Sequence, residues 1–305
     1  MSKHVMAAFV LLGVSLPVAA DMPVALTDML KAGDSVVSLG TLYQESEADL
    51  DLLLAGFRYT GRAKVVSKGP GIGVEHGLTD RFSVGINSGY TDIKSDASYA
   101  GPQTVVNEAR YTGIDDLVIN ASYKLRDGDL PLKAAVTVTA PTSSDSSGQM
   151  SFIVNGVSVQ PMIEGDVGGG KTVIVPSLLG GIGPRANRVE WSASLNIDDD
   201  KSTNDAVAGS LAWLHGFSDR TWMRLGAGVT YLDRDDTPDT RQNDLKIVGG
   251  GLSFIHLPDP STRLGLNLVY QSRGDRTDVD IATNNRFTSL DEELRSISVD
   301  LRFLF

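Results

Sequence analysis

The sequence predicts an all-β fold: a twelve-stranded antiparallel transmembrane β-barrel of the outer-membrane type, formed by residues 35–305. Apolar and polar residues alternate with a period of two from residue 35 onward, which is typical of β-strands. Most candidate strands have 11–14 residues, and a tilted strand needs about 9–11 residues to cross a bilayer. Short and long connections alternate along the chain, as in bacterial outer-membrane barrels with an even number of strands.

The predicted strands follow one another without any intervening domain. They cover residues 35–45, 62–76, 81–93, 113–126, 131–141, 171–183, 188–199, 204–216, 220–233, 243–256, 262–273 and 292–305. Glycine and aspartate in the short turns 76–81 and 215–220 supply the backbone freedom that tight turns need. We expect these turns and both termini at the periplasmic end, and the long connections 94–112, 142–170 and 274–291 outside the cell.

Aromatic residues distinguish this barrel from a soluble sandwich, whose strands would alternate in the same way. The residues at the loop ends of strands are Tyr43, Tyr90, Tyr231 and Tyr270, and those at the turn ends are Phe82, Tyr123, Trp213, Phe254, Phe303 and Phe305. Two such rows are expected where a barrel meets two membrane interfaces. One strand deviates, because Gly249–Gly251 interrupts a face on which Lys246 lies among apolar residues; we expect a bulge or bend there.

The first twenty residues have the pattern of a secretory signal peptide. Lys3 and His4 precede an apolar stretch, and small residues lead to cleavage after Ala20. The chain is therefore predicted to function outside the cytoplasm. Residues 21–34 form an N-terminal periplasmic segment, in which 22–32 favours one or two helical turns, as does 46–55 later in the chain. Either stretch could plug the lumen; the alternative is an ordinary tail and loop.

Composition excludes several classes of function. The 305 residues include 27 basic and 38 acidic side chains, a formal charge of −11, and 41% hydrophobic residues. Wholesale disorder is excluded, and the negative charge argues against a nucleic-acid partner. There is no cysteine, hence no disulfide, thiolate nucleophile or cysteine zinc site. We predict no cofactor and no catalytic residue, since His76, His215 and His256 fall at turn ends of strands.

Three motifs in the predicted loops suggest chemistry but have simpler explanations. Residues 165–172 match a phosphate-binding loop, yet a β-branched stretch with a proline follows where a helix is required. The acidic clusters 198–200 and 233–239 are expected to be solvated loops near lipopolysaccharide, with a specific cation site as the alternative. Residues 151–160 predict a hairpin that stands above the rim or folds into the mouth. Two further spanning strands, giving fourteen, are the alternative.

Charged residues within the predicted spans indicate which face lines the lumen. A basic side chain facing lipid at the midplane costs about 2–4 kcal/mol, so Arg224 should point inward between Met223 and Leu225. The same reasoning, with the polar faces of the strands, gives a predicted lumen-lining set: Lys133, Glu190, Asn196, Arg224, Asp300 and Arg302. These charges either pair and close the lumen or form a polar constriction that selects solutes by charge.

Three stretches resemble a known family: HGLTDRFSVGINSGY at 76–90, GIDDLVINASYKLRDGDLPLKAAVTVTAPT at 113–142 and SVDLRFLF at 298–305. They are similar to outer-membrane barrels named for the meta pathway of phenol degradation. The resemblance implies a barrel of about this size, in a family of transporters. We predict an outer-membrane channel for passive passage of small molecules, hydrophobic or aromatic ones among them, in contact with outer-membrane lipids and lipopolysaccharide. The terminal Phe305 resembles the final aromatic residue read by the barrel-assembly machinery. A pore that exports a partner polypeptide and a structural barrel with a closed lumen are the alternatives.

Overall fold

The protein is described by a computed structural model that covers residues 25–102, 105–142, 145–154, 157–159, 162–166, 172–198, 205–234 and 240–305. The predicted signal peptide, its cleavage after Ala20 and residues 21–24 lie outside the described residues. So do the central residues of the phosphate-loop match and most of the two acidic clusters.

The described strands form one antiparallel sheet that closes into a barrel of twelve strands, as predicted. Their bounds are β1 Ser35–Leu54, β2 Phe57–Thr79, β3 Phe82–Ala100, β4 Val105–Ile114 and Leu117–Arg126, β5 Leu132–Ala140 and Asp145–Val154, β6 Met162–Asp166 and Val173–Ile182, β7 Asn187–Asp198, β8 Ala206–Ser218, β9 Thr221–Leu232, β10 Thr240–Gln242 and Leu245–Asp259, β11 Thr262–Arg273 and Arg276–Asp280, and β12 Arg286–Leu304. The barrel closes between β1 and β12, from Val36 opposite Leu304 to Leu53 opposite Arg286. Ser35 and Phe305 complete the seam with reciprocal backbone hydrogen bonds of 3.0 and 2.8 Å.

The strands are longer than the sequence predicts, mainly at the end away from the short turns. β1 has 20 residues and β2 has 23, and they meet at a turn formed by Ala55 and Gly56, both with positive φ. The predicted helical turns at 46–55 are therefore wrong. The physical reason is that this stretch pairs with β2 on one side and β12 on the other, which satisfies the backbone groups on both edges.

The predicted bulge at Gly249–Gly251 is also wrong. These glycines pair in register with both neighbouring strands, and the shift in β10 occurs later, between His256 and Asp259. Lys246 does lie on the outer face, directly opposite Tyr231. Because Tyr231 belongs to the aromatic row at the loop end, the Lys246 ammonium can reach water there, and no bend is needed to turn it inward.

The predicted hairpin in the connection 142–170 is present in the described backbone, with Val154 opposite Val157. Its first arm also pairs with β4, so it continues the barrel wall upward and adds no new spanning strand. The outer face between the two aromatic rows carries exposed apolar side chains, as expected of a lipid-facing surface. Tyr43, Tyr90, Tyr231 and Tyr270 are each more than two-fifths exposed on it.

Candidate functional site

The middle of the lumen is lined by small residues. Alternate inner-face positions of β9 and β10 are glycines: Gly226, Gly228, Gly249 and Gly251. Leu42 shares the inner face with the buried Val36 but is 40% exposed. An exposed leucine on an inner face means that the lumen at this height is not filled by side chains. The twelve strands therefore enclose free space in the middle of the barrel.

Residues 25–34 enter the lumen at the end of the barrel that carries the short turns. Ala25 and Leu30 are almost fully buried, and Ala25 packs in one cluster with Leu214, Trp222 and Ile255 from three different strands. The segment starts with a turn in which the Asp28 N–H donates to the Ala25 carbonyl, at 3.1 Å. This part of the predicted N-terminal segment occupies the opening at this end; we call residues 25–34 the N-terminal plug.

Two reciprocal backbone hydrogen bonds join the base of the plug to the wall. The Gly33 N–H donates to the Gly77 carbonyl at 2.8 Å, and the Gly77 N–H donates to the Asp34 carbonyl at 2.9 Å. Gly33 has a φ of +89°, a conformation that residues with a β-carbon rarely adopt. The close approach also requires glycine at position 77, because a β-carbon there would lie 2.1 Å from the Lys31 carbonyl oxygen. These glycines fix the point where the chain turns from the wall into the lumen.

Charged side chains surround the plug on the inner face. We call them the constriction belt; its members are Glu75, Lys133, Arg188, Glu190, Arg224, Arg263, Asp300 and Arg302. Arg224 Nε donates to Glu190 Oε2 at 2.8 Å, and Arg302 Nε donates to Asp300 Oδ2 at 3.1 Å. Glu190 and Arg302 are almost fully buried. Buried ion pairs of this kind are costly to break, because one partner is left as an uncompensated charge.

The remaining carboxylate of the belt has its own partners. Glu75 Oε1 accepts a hydrogen bond of 2.7 Å from the hydroxyl of the buried Ser83. Lys133 and Arg302 are close enough to act on Glu75 as neighbouring positive charges. Each carboxylate in the belt therefore has at least one cation beside it.

The plug is bound directly to this belt. The Leu26 N–H donates to Glu190 Oε1 at 2.7 Å, so Glu190 holds the plug with one oxygen and Arg224 with the other. Arg188 Nη1 lies 3.4 Å from the Thr27 hydroxyl oxygen. Residues 188 and 190 of β7 are therefore belt residues that bond directly to the plug.

Of the predicted lumen-lining residues, the structure places Lys133, Glu190, Arg224, Asp300 and Arg302 together in the belt. Asn196 is separate: it lies six positions along β7 from Glu190, about 20 Å away. Sequence reasoning missed Glu75, Arg188 and Arg263. Arg188 could have been found, because it shares the parity of Glu190 in the same strand.

A second group of buried charges lies towards the loop end of the lumen. Arg273 Nη1 donates to Glu292 Oε1 at 2.6 Å, and the Ser46 hydroxyl donates to the same oxygen at 2.9 Å. Arg234 and Arg276 both contact Asp278 in the same region. This group joins strands across the barrel wall and has no described contact with the plug.

The other candidates for chemistry lie away from the lumen. His76 shares a 2.8 Å hydrogen bond with the Ser35 hydroxyl, and His256 one of 3.1 Å with the Thr221 hydroxyl. His215 lies between the rings of its outer-face neighbours Trp213 and Phe217. No helix in the described part of the chain is long and apolar enough to cross a membrane. Within the same residues, no three potential metal ligands come together.

No family model matches the sequence, and no curated protein matches it either. Solved structures match over almost the whole chain. An outer membrane channel from Pseudomonas putida F1 is 14% identical, with a TM-score of 0.52 over 93% of this chain and 100% of that one. This likeness establishes the fold.

Two further structures match with TM-scores below 0.5. The translocator domain of the autotransporter NalP from Neisseria meningitidis is 11% identical, with a TM-score of 0.47 over 91% of this chain and 90% of that one. A FadL homologue from Pseudomonas aeruginosa is 9% identical, with a TM-score of 0.49 over 92% of each chain. These values support no argument about function, and membership of the phenol meta-pathway family stays a prediction.

Proposed function

We propose that the protein is an outer-membrane channel for the passive passage of small molecules, closed at rest by the N-terminal plug. The observation that supports this most directly is the contrast between the two parts of the lumen. The middle is lined by small residues and is open, whereas the periplasmic end is filled by a segment that is not part of the sheet. A barrel whose wall alone closed the lumen would not need such a segment.

The plug is held by few interactions compared with the wall. Residues 26–28 bond to Glu190, Arg188 and Arg185, and residues 32–34 at the base of the plug bond to Asp80 and Gly77. A net contribution of about 0.5–3 kcal/mol for each such bond is small beside the ladder of backbone pairs that closes the barrel. The plug can therefore leave the lumen while the barrel stays folded, which is what gating by this segment requires.

Location and contacts belong to the same proposal. The chain would be exported with its signal peptide removed after Ala20 and would insert with the apolar band of the outer face in the lipid. Above the tyrosine row, the outer face carries charged pairs such as Asp92 with Arg110 at 2.9 Å, which would meet lipopolysaccharide. The resemblance to the phenol meta-pathway family favours hydrophobic or aromatic molecules among the solutes.

Single-channel recording in planar bilayers tests this function. The full-length protein should give small conductance steps with a low open probability. A variant that lacks residues 25–31 should remain a heat-modifiable barrel and stay open for most of the record. If both proteins insert and neither conducts, the barrel is a closed structural element and the channel proposal is wrong.

A further inference from the structure

We propose that the constriction belt makes the channel selective for anions, so that its solutes are small molecules that bear a carboxylate. This inference rests on the proposed channel function and adds the sign of the selectivity. It is drawn from the charges, burial and pairing of the belt residues.

The belt carries an excess of positive charge. Five of its members are basic, namely Lys133, Arg188, Arg224, Arg263 and Arg302, and three are acidic, namely Glu75, Glu190 and Asp300. The formal charge of the belt is therefore +2, in a chain whose formal charge is −11. The belt therefore departs in sign from the protein as a whole.

Neighbouring charged residues at this end of the barrel do not alter that excess. Lys124 pairs with Asp127 of the adjacent turn at 3.1 Å. Arg185 pairs with Asp28 of the plug at 3.2 Å. Each of these pairs is neutral, and both lie where the lumen meets the periplasm.

Two of the arginines are direct neighbours. Arg263 of β11 is paired in register with Arg302 of β12, and both side chains are buried on the inner face. Like charges directly opposite each other in a sheet are destabilising, and burial strengthens their repulsion. Asp300 Oδ2 accepts a hydrogen bond of 3.1 Å from Arg302 Nε. An arrangement that is unfavourable for folding fits a role in attracting an anion.

Arg188 adds a further positive site that the plug covers. Among the described residues, its guanidinium donates to the Gly183 carbonyl at 3.1 Å and to the Thr27 hydroxyl at 3.4 Å. Both acceptors are neutral oxygens. When the plug leaves, the Thr27 oxygen leaves with it, and the Arg188 guanidinium faces the lumen. A planar guanidinium binds a carboxylate with two parallel hydrogen bonds.

Geometry strengthens the effect of these charges. A narrow passage with low-dielectric walls focuses the field of its lining groups and raises the local concentration of counter-ions. Rings of arginine or lysine select anions in pores by this mechanism. The belt lies at the narrow, plugged end of the barrel, so any solute that crosses must pass these side chains.

The test measures permeability ratios in planar bilayers under a potassium chloride gradient, and then with benzoate replacing chloride on one side. For the full-length protein we expect chloride to be more permeant than potassium, and benzoate to carry current. Arg263→Gln should reduce the chloride-to-potassium ratio, and the double variant Arg188→Gln/Arg263→Glu should reverse it. Arg263→Gln is expected to fold well because it removes a like-charge contact.

The control is Arg220→Glu, which changes the charge by −2, as Arg263→Glu does within the double variant, but at an exposed turn outside the lumen. It should leave the ratio at the full-length value. A channel that conducts with potassium as the preferred ion, or whose ratio is the same in the double variant, overturns anion selectivity while the channel function stands. Absence of conductance in every protein overturns the proposed function and this inference with it.

Discussion

Replacing Glu190 with glutamine should release the N-terminal plug. Glu190 uses one carboxylate oxygen for the Leu26 N–H, at 2.7 Å, and the other for Arg224, at 2.8 Å. Glutamine replaces one of these two accepting oxygens with an NH2 group, which donates and cannot accept the hydrogen bond made at that position. A hydrogen bond to a charged group contributes about 1.5–3 kcal/mol, and about 1.4 kcal/mol is a factor of ten in an equilibrium constant. If the glutamine oxygen keeps the hydrogen bond to Arg224 and the bond to the Leu26 N–H is lost, the ratio of docked to released plug falls about 10- to 150-fold.

Single-channel recording is the appropriate assay, because the open probability reports the released fraction directly. We expect Glu190→Gln to open far more often than the unmodified protein. Heat-modifiable mobility on gels should show that the barrel is still folded.

Glu292→Gln is the matched control. Glu292 is also a buried glutamate bonded to an arginine, with Arg273 at 2.6 Å, but it lies in the group towards the loop end. Both substitutions break a buried ion pair, so their effects on stability should be comparable. Only Glu190→Gln should raise the open probability. An equal open probability in the two variants would refute the assignment of Glu190 as the residue that holds the plug.

Further expectations concern the membrane, the topology and the hairpin formed by β1 and β2. Leu225→Arg places a charge on the lipid face and should lower the free energy of unfolding in vesicles by about 2–4 kcal/mol; an unchanged value would mean that this face is not in lipid. A tag near Ser146 should be labelled on intact cells and one at Thr79 should not, and the reverse would invert the topology. Arg58, bonded to Asp51 at 2.9 Å, lowers the pKa of that carboxylate, which lies beyond the membrane. At pH values above the ordinary aspartate pKa of about 3.9, the pair should therefore stabilise the hairpin of β1 and β2. This stabilisation should be lost as the pH falls through the lowered pKa of Asp51. Hydrogen exchange of the hairpin should show this acid dependence, and Asp51→Asn should abolish it.

The number of strands could be predicted from the sequence because the membrane imposes a contrast between faces. In β9, lipid-facing Leu225 and Val229 alternate with inner-face Arg224 and Gly228, and this pattern is visible in the residues themselves. The full length of the strands could not be predicted in the same way. Above the tyrosine row the outer face meets water, so Lys64 and Asp92 occupy positions that carry leucine or valine lower down. The alternation then loses its contrast although the strand continues.

The inner-face charges could be found by parity, whereas their partners could not. The rule that a charge avoids lipid turns Arg224 and Glu190 to the same side, but it does not say that they meet. The contact between Leu26 and Glu190 joins residues 164 positions apart, and no periodic pattern in residues 25–34 points to it. The site therefore depends on how the closed barrel brings the chain's beginning to β7, which is a property of the topology and not of any local stretch.

In the predicted topology, the length of β2 has a consequence at the cell surface. Its 23 residues, at about 3.3 Å each and a tilt of about 40°, rise about 58 Å along the barrel axis, and the apolar band takes about 25 Å of this. In this projecting wall β1 and β2 are paired on both sides, and their backbone groups are used within the sheet. Proteases bind their substrates as unpaired, extended chain, so digestion from outside should be confined to the connections. An antibody raised against the intact wall must read side chains from several adjacent strands, and it should not bind the denatured protein.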